Sequence, residues 1–157
     1  MNSEYINIYN NLVNLSRNKN LFFNFTEKDT FSDRLLIFFF HLAFFFKYFK
    51  SKIDQKYMQN FYDYVFRQIE LDIREIGYGD QTVNKKMKTY VNLLYSIINK
   101  FQNWEKSNYD EKNTLFKSFI EINDNNENFV DYFTKYTNYL TKTPLNSFTK
   151  SVINHKF

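Results

Sequence analysis

The sequence predicts an all-α fold, a single domain over residues 1–157 built as a bundle of six or seven helices. Apolar residues recur at steps of three and four along most of the chain, which is the spacing of one face of a helix. Only one proline and two glycines occur, and no alternating apolar pattern is bounded by turn dipeptides, as strands would require. A chain of 157 residues is long enough to bury a substantial core.

The N-terminal region is predicted to form one amphipathic helix followed by a connection. Apolar residues between Tyr5 and Leu15 lie mostly on one helical face, and the pattern ends near Arg17. We interpret residues 18–30 as a connection whose stretch LFFNF packs against the bundle. Asp29 or Thr30 is placed to cap the next helix, because either side chain can accept a hydrogen bond from a free amide of the first turn.

Two longer helices follow the connection. The second helix is expected over residues 31–51 and the third over residues 53–76. The third helix has a clear inner face, formed by Met58, Phe61, Tyr62, Val65, Phe66, Ile69, Ile73 and Ile76.

After the two glycines, the most regular pattern of the chain predicts an amphipathic helix of about 20 residues. Its apolar face is formed by Met87, Val91, Leu94, Ile98 and Phe101. Two shorter helices are expected next, with apolar faces formed by Leu115, Phe116, Phe119 and Ile120, and by Phe129, Phe133, Tyr136 and Leu140. Proline is tolerated in a first helical turn, so Thr143-Pro144 predicts a last helix that carries Leu145, Phe148 and Val152 toward the C-terminus.

The composition excludes several kinds of site. Cysteine is absent, which excludes disulfides, thiolate zinc sites and cysteine nucleophiles. No phosphate-binding glycine loop, nucleophile elbow or paired-histidine helix motif occurs, so we expect no catalytic residue, no metal and no cofactor. The net charge of +4 is a mild bias toward anionic partners and gives no support for specific DNA binding. The N-terminus MNSEYINIYN has neither a secretory nor a transit pattern, and we expect a bacterial cytoplasm.

The chain is unusually rich in aromatic residues, with 20 Phe and 13 Tyr. A functional interpretation makes these rings a surface for an apolar client or for lipid. Heavy use of Asn and Lys, which share AT-rich codons with Phe, Tyr and Ile, favours genome composition as the explanation.

The most hydrophobic stretch is LLIFFFHLAFFF, residues 35–46. As a helix it is about 18 Å long, against roughly 30 Å of bilayer hydrocarbon, and Asp33, Arg34 and Lys47 limit it on both sides. It therefore does not span a membrane. A helix that is apolar all round is either the central helix of the bundle, which we favour, or a helix with one face open to a partner.

His41 lies within this apolar stretch and has two interpretations. It could be a haem or metal ligand or a proton-sensitive switch. A metal site needs further ligands, however, and the only other histidine is His155. We therefore favour a core histidine that is hydrogen-bonded to a carbonyl or an acid.

Both glycines lie in REIGYGDQTVNKKMK, residues 74–88. Gly77 follows the apolar face of the third helix, where a left-handed C-terminal cap is expected. Gly79 permits a second unusual backbone angle or a close chain approach, and Asp80 or Thr82 can cap the next helix. The stretch predicts a tight corner that folds two helices back on each other.

Three lysines follow the corner, at positions 85, 86 and 88. They lie beside the positive end of the new helix, where a phospholipid headgroup or a ribosomal RNA phosphate could dock. Asp80 competes for that helix end, and Arg74 could pair with Asp80 across the corner. On chemistry alone, lysines on a solvated face are the simpler interpretation.

The stretch from Phe31 to Phe101 resembles the ubiquinol-cytochrome c chaperone family, which are assembly factors for cytochrome b of respiratory complex III. The resemblance rests on the histidine-containing LLIFFFHLAFFFKYF, the Phe-rich and acidic NFYDYVFRQIELDI, the corner REIGYGD and the basic VNKKMK. Tyr95 in LLYSII stands where a family aromatic is expected. The motif from Arg74 to Asp80 with its basic continuation is fairly specific, whereas the C-terminal third agrees only loosely.

The resemblance implies a non-catalytic chaperone that holds newly made cytochrome b at the cytoplasmic face of the inner membrane during haem insertion. It further implies that the 35–46 helix or its neighbours offer apolar surface to the client, with Phe38, His41 and Phe45 as candidates. The corner would orient a partner, the inner-membrane surface or the ribosome, through Arg74, Gly77, Tyr78, Gly79, Asp80, Lys85, Lys86 and Lys88. Because no N-terminal extension precedes the domain, we expect a bacterial member. The alternative is a peripheral lipid-binding protein without a dedicated client.

Overall fold

The computed structural model describes residues 3–18, 21, 30–120, 127–155 and 157; for residues 127 and 128 it describes the backbone only. Within these residues, seven α-helices and one turn of 3₁₀-helix form a single bundle, and no strand occurs. The prediction of an all-α bundle of six or seven helices is confirmed. Of the stretch LFFNF only Leu21 is described, and it is buried; the other four residues and Asp29 lie outside the described residues.

The helices agree with the predicted ones to within a few residues over most of the chain. They are α1 (Ser3–Ser16), α2 (Phe31–Phe49), α3 (Gln55–Ile76), α4 (Asp80–Phe101), α5 (Tyr109–Lys117), α6 (Glu127–Lys142) and α7 (Asn146–Thr149), with the 3₁₀ turn at Trp104–Lys106. Phe119 and Ile120 were expected within the fifth helix and instead follow its end.

Helix α2 is the centre of the bundle, which confirms the favoured interpretation of the apolar stretch. Every residue from Ile37 to Phe46 is buried, and α1, α4 and α6 pack against this helix. The ring of Phe40 contacts the rings of Phe101, Phe116 and Phe133. Burying each ring of this size stabilises the fold by about 2 kcal/mol relative to leaving it exposed.

Side-chain caps define where three of the helices begin. Thr30 accepts a hydrogen bond from the Asp33 amide at 3.2 Å, so the structure selects Thr30 from the two caps predicted for α2. Asp54 accepts one from the Tyr57 amide at 2.8 Å at the start of α3. Asn108 begins α5 with a reciprocal capping box. Such a cap contributes about 1 kcal/mol, because it satisfies an amide that has no partner within the helix.

The predicted last helix is wrong in length, because α7 is a single turn that ends at Thr149. The buried side chain of Asn11 in α1 explains the difference. Its Nδ2 donates to the carbonyls of Phe148 and Ser151, and its Oδ1 accepts the N–H of Ile153. These bonds engage the backbone groups that a longer helix would use, and they bind the C-terminal segment to α1.

Candidate functional site

Gly77 ends α3 in the left-handed conformation that was predicted for it. Its φ is +107°, and its N–H donates to the carbonyl of Arg74 at 3.0 Å. An L-residue with a side chain rarely adopts this φ, so the corner requires glycine at this position.

Gly79 behaves differently, and two predictions about this part of the corner are wrong. Its φ is −75° and a Cβ placed on it would meet no atom within 4 Å, so it has neither an unusual angle nor a close chain approach. Gly79 is itself the N-cap of α4, and no side chain caps this helix. Neither Asp80 nor Thr82 therefore has the predicted capping role, since Asp80 is already the first helical residue.

The carboxylate of Asp80 binds Arg74 instead. Arg74 Nη1 lies 2.5 Å from Asp80 Oδ1, and Nη2 lies 3.3 Å from Glu70 Oε1. Hydrogen bonds first to Asp80 and then to Glu70 raise the pKa of Arg74. The suggested pairing across the corner is confirmed, and it places a negative charge beside the positive end of α4.

The three lysines of the corner differ in their surroundings. Lys86 Nζ lies 4.7 Å from the centre of the Tyr78 ring, within cation–π range, and is half-buried. Lys85 and Lys88 are exposed, and neither forms an ion pair with another described residue. The corner thus presents two exposed ammonium groups and a third that is held over an aromatic ring.

Three large apolar side chains are exposed at the end of α3 and in the turn that follows it. The exposed fractions are 45% for Leu71, 52% for Ile76 and 42% for Tyr78. Ile76 was expected on the inner face of the third helix, but it is the last helical residue, and α3 ends before the bundle covers it. The corner therefore combines exposed apolar surface with positive charge.

The candidates for client contact on α2 do not lie at the surface. Phe38 is 5% exposed, and His41 and Phe45 are fully buried. These side chains belong to the core because α2 is surrounded by the other helices, as the favoured interpretation of the apolar stretch implied.

His41 is hydrogen-bonded within that core, as favoured from the sequence. Its Nδ1 donates to the carbonyl of Ile37 at 2.8 Å, and its Nε2 lies 2.6 Å from the Tyr132 hydroxyl, which can donate to it. Burial lowers the pKa of His41 to about 4, so the ring is neutral at pH 7. His155 stacks on Tyr139 in the C-terminal region, with ring centroids 4.8 Å apart.

Residues from α2, α3 and α4 line a groove of about 540 Å³ that the sequence did not reveal. Its lining comprises Phe46, Lys47, Lys50, Gln55, Met58, Gln59, Tyr62, Tyr95, Ile98, Gln102 and Glu105. Met58, Tyr62 and Ile98 were predicted on inner helix faces, yet each is only partly buried. The one signal in the sequence was Tyr95, which interrupts the polar face of α4 and is 53% exposed.

Hydrogen bonds and an ion pair hold Lys47 and Glu105, two of the residues that line this groove. Lys47 Nζ donates at 2.8 Å to Glu105, and at the same distance to the carbonyls of Phe101 and Gln102. Burial opposes ionisation of Glu105, but hydrogen bonds from Lys47 and Tyr48 outweigh it and lower the pKa of this carboxyl.

Two tyrosines, Tyr62 and Tyr95, also line the groove. Burial, followed by a hydrogen bond with Tyr95, raises the pKa of Tyr62 well above its ordinary value. The ring centroids of the two tyrosines lie 6.1 Å apart. The Tyr62 hydroxyl is therefore neutral at pH 7, and both tyrosines present hydrogen-bonding groups at the edge of the groove.

A family match covers most of the chain. Residues 24–150 match the model of the family described as ubiquinol-cytochrome c chaperone. The chain belongs to this family. The match extends beyond residues 31–101, on which the resemblance chiefly rested, into the last three helices. No curated protein and no solved structure matched the chain.

Membership of the ubiquinol-cytochrome c chaperone family gives the chain a general role as a chaperone or assembly factor. The described residues have two further properties. None of their helices is both long and apolar enough to cross a bilayer. Among the same residues, no group of three or more His, Asp or Glu side chains is arranged to hold a metal ion.

Proposed function

We propose that this protein is a non-catalytic chaperone that binds newly made cytochrome b and supports the assembly of respiratory complex III. The observation that carries the proposal is the family match over residues 24–150, which includes the corner motif from Arg74 to Asp80. The client protein is inferred from that family relationship.

Within this proposal, the chaperone works in a bacterial cytoplasm and lies peripherally on the inner membrane. The corner supports such an orientation, because Lys85 and Lys88 are exposed in the first turns of α4 and Tyr78 is exposed in the turn before that helix. Positive charge next to exposed apolar groups suits an anionic lipid surface, and the same charges suit ribosomal RNA.

Deletion of the gene tests the proposed function directly. A reduced-minus-oxidised haem spectrum and a cytochrome b immunoblot are recorded on membranes of the deleted strain. We expect a selective loss of complex III haem b that the wild-type gene restores. Normal amounts of haem b and cytochrome b in the deleted strain would contradict an essential assembly role.

Charge reversal tests the corner separately. We expect Lys85→Glu, Lys86→Glu and Lys88→Glu together to release the protein from membranes or from its client. Glu substitutions at Lys106, Lys117 and Lys150 form the matched control, because these exposed lysines change the net charge equally at other places on the surface. If both triple variants associate as the wild type does, the basic corner has no docking role.

A second candidate function is peripheral lipid binding without a dedicated client. The exposed side chains of Leu71 and Ile76 at the end of α3, and of Tyr78 in the turn before the three lysines of α4, favour it. Cosedimentation with anionic vesicles that weakens as salt rises, together with no binding to neutral vesicles, would support this function. Binding to cytochrome b in detergent without added lipid would count against it.

A further inference from the structure

The burial of α2 leaves open which surface receives the client. The side chains that the sequence suggested for client contact, Phe38, His41 and Phe45, are all in the core. The groove of about 540 Å³ between α2, α3 and α4 offers apolar surface that solvent can reach.

The chemistry of the groove suits a helix. Its apolar part is formed by Phe46, Met58, Tyr62 and Ile98, with Tyr95 at the edge. Methionine adapts its shape to different apolar partners, and tyrosine combines apolar area with a hydroxyl group. Grooves of this composition are used to bind the apolar face of an amphipathic helix.

The length of the groove limits how much helix can bind. Its lining runs from Gln55 to Tyr62 along α3 and from Tyr95 to Gln102 along α4. Each run is about two helical turns, or roughly 10 Å. The groove therefore holds a short segment or the end of a longer helix, and it is too short for a complete membrane span.

The positive charge of Lys50 at the edge of the groove indicates which charge the partner carries. Lys47 is engaged by Glu105 and by two carbonyls at the end of α4. Lys50 is exposed, and within the described part of the chain it forms neither an ion pair nor a side-chain hydrogen bond. One uncompensated ammonium group at the edge of an apolar groove is complementary to a carboxylate on the partner.

We propose that this groove binds a short amphipathic helix of the client, whose apolar face contacts Met58, Tyr62 and Ile98 and whose Asp or Glu pairs with Lys50. The inference rests on the proposed function, because it assumes that the client is cytochrome b. It adds the docking surface and the chemistry of the client segment.

Photo-crosslinking of the full-length protein in cells tests the site. A benzoylphenylalanine replaces Tyr95 in the groove, or Tyr109 as a control that is 42% exposed and lies outside the groove. We expect a crosslink to cytochrome b from position 95 and none from position 109. The crosslinked peptide should be an apolar helical segment that contains an Asp or Glu.

Copurification of cytochrome b then tests the charge pair. Lys50→Glu should reduce the captured cytochrome b at least tenfold, whereas Lys56→Glu, an exposed lysine outside the groove, should change it less than twofold. Changing the crosslinked acid of the client to Lys should restore capture by the Lys50→Glu variant. Thermal unfolding midpoints equal to that of the wild type exclude misfolding as the cause.

The outcomes separate this inference from the proposed function. Equal capture of cytochrome b by wild type, Lys50→Glu and Tyr95→Glu would overturn the groove while leaving the chaperone function intact. A crosslink from position 109 without one from position 95 would do the same. If the wild-type protein captures no cytochrome b and position 95 gives no crosslink, the proposed function fails and the inference fails with it.

Discussion

Asn11 and Ile153 are joined by a buried hydrogen bond, in which Asn11 Oδ1 accepts the backbone N–H of Ile153 at 2.9 Å. The same side chain donates through Nδ2 to the carbonyls of Phe148 and Ser151, at 2.9 and 2.8 Å. One amide of the first helix thus satisfies three backbone groups of the C-terminal segment, one in the single turn of α7 and two beyond its end.

We predict that Asn11→Ala lowers the free energy of unfolding by about 2–4 kcal/mol, because three hydrogen bonds are lost and buried backbone groups are left without partners. Urea unfolding measures this change, and limited proteolysis should cleave near the C-terminus. Asn7→Ala is the matched control, since Asn7 makes one partly buried bond to the carbonyl of Thr149. Equal effects of both substitutions would show that burial of the Asn11 network contributes little.

The two glycines of the corner should respond to substitution in opposite directions. Gly77→Ala forces a side chain into a φ of +107° and should lower the free energy of unfolding by about 1–2 kcal/mol. Gly79→Ser should raise it by about 0.3 kcal/mol, because a serine at this extended N-cap can accept a bond from an amide of α4. Chemical unfolding of the two variants measures both changes in the free energy of unfolding. A loss of stability in both variants would contradict the description of Gly79 as an N-cap with an ordinary backbone angle.

The lowered pKa of His41 predicts that the protein becomes less stable as the pH falls. Its pKa is about 4 in the folded protein and about 6.5 in the unfolded chain, so the unfolded state binds the proton more readily between these values. The stability is fully present above pH 6.5 and falls as the pH drops toward 4, by about 3 kcal/mol in total from this group. The phenol groups that face the ring, Tyr132 and Tyr136, stay neutral throughout, since burial raises the pKa of both.

Unfolding in urea at pH 7 and at pH 4.5 measures this dependence. His41→Leu should be less stable than wild type at pH 7, because the Tyr132 hydroxyl loses its bond to His41 and keeps only the longer one to the carbonyl of Leu15. The difference in stability between the two pH values should shrink. His155→Gln, which alters the other histidine, is the control variant. If His41→Leu keeps the full wild-type pH dependence, the dependence has another source.

Substitutions at Lys47 and Lys50 can be compared in the same way. Lys47→Met removes the ammonium group that binds two carbonyls at the end of α4, and it should lower the free energy of unfolding by about 1–2 kcal/mol. Lys50→Met should leave it nearly unchanged, because no described residue pairs with Lys50. Thermal unfolding at matched salt compares the two, and a large loss for Lys50→Met would show a structural role that conflicts with its proposed place in client binding.

Helix positions were predictable because the signals that set them are local. The apolar spacing along α4, the cap at Thr30 and the left-handed Gly77 each depend on residues within a few positions of one another. The same locality explains the errors. From the sequence, the Asp80 carboxylate could bind either a free amide at the start of α4 or the guanidinium of Arg74. Only the folded structure showed that it binds Arg74.

The groove could not be predicted because periodicity shows which face of a helix turns inward, and says nothing about how closely the neighbouring helix covers it. Met58, Tyr62 and Ile98 lie on the inner faces of their helices, as the spacing indicated. They remain partly exposed because the helices around them leave a space of about 540 Å³. The family resemblance likewise placed client contact on the 35–46 helix or its neighbours, and packing then buried the apolar stretch itself.

By itself the sequence determined the helical class, the corner at Gly77 and, through the spacing of its motifs, the family, since these depend on residues that are near one another along the chain. Only the tertiary structure decided the burial of α2, the hydrogen-bond partner of His41 and the attachment of the C-terminal segment. The partner of His41 is Tyr132, 91 positions away, and Ile153 is 142 positions from Asn11. Such pairs are selected by the packing of whole helices, because many side chains together determine which distant groups come within hydrogen-bonding distance.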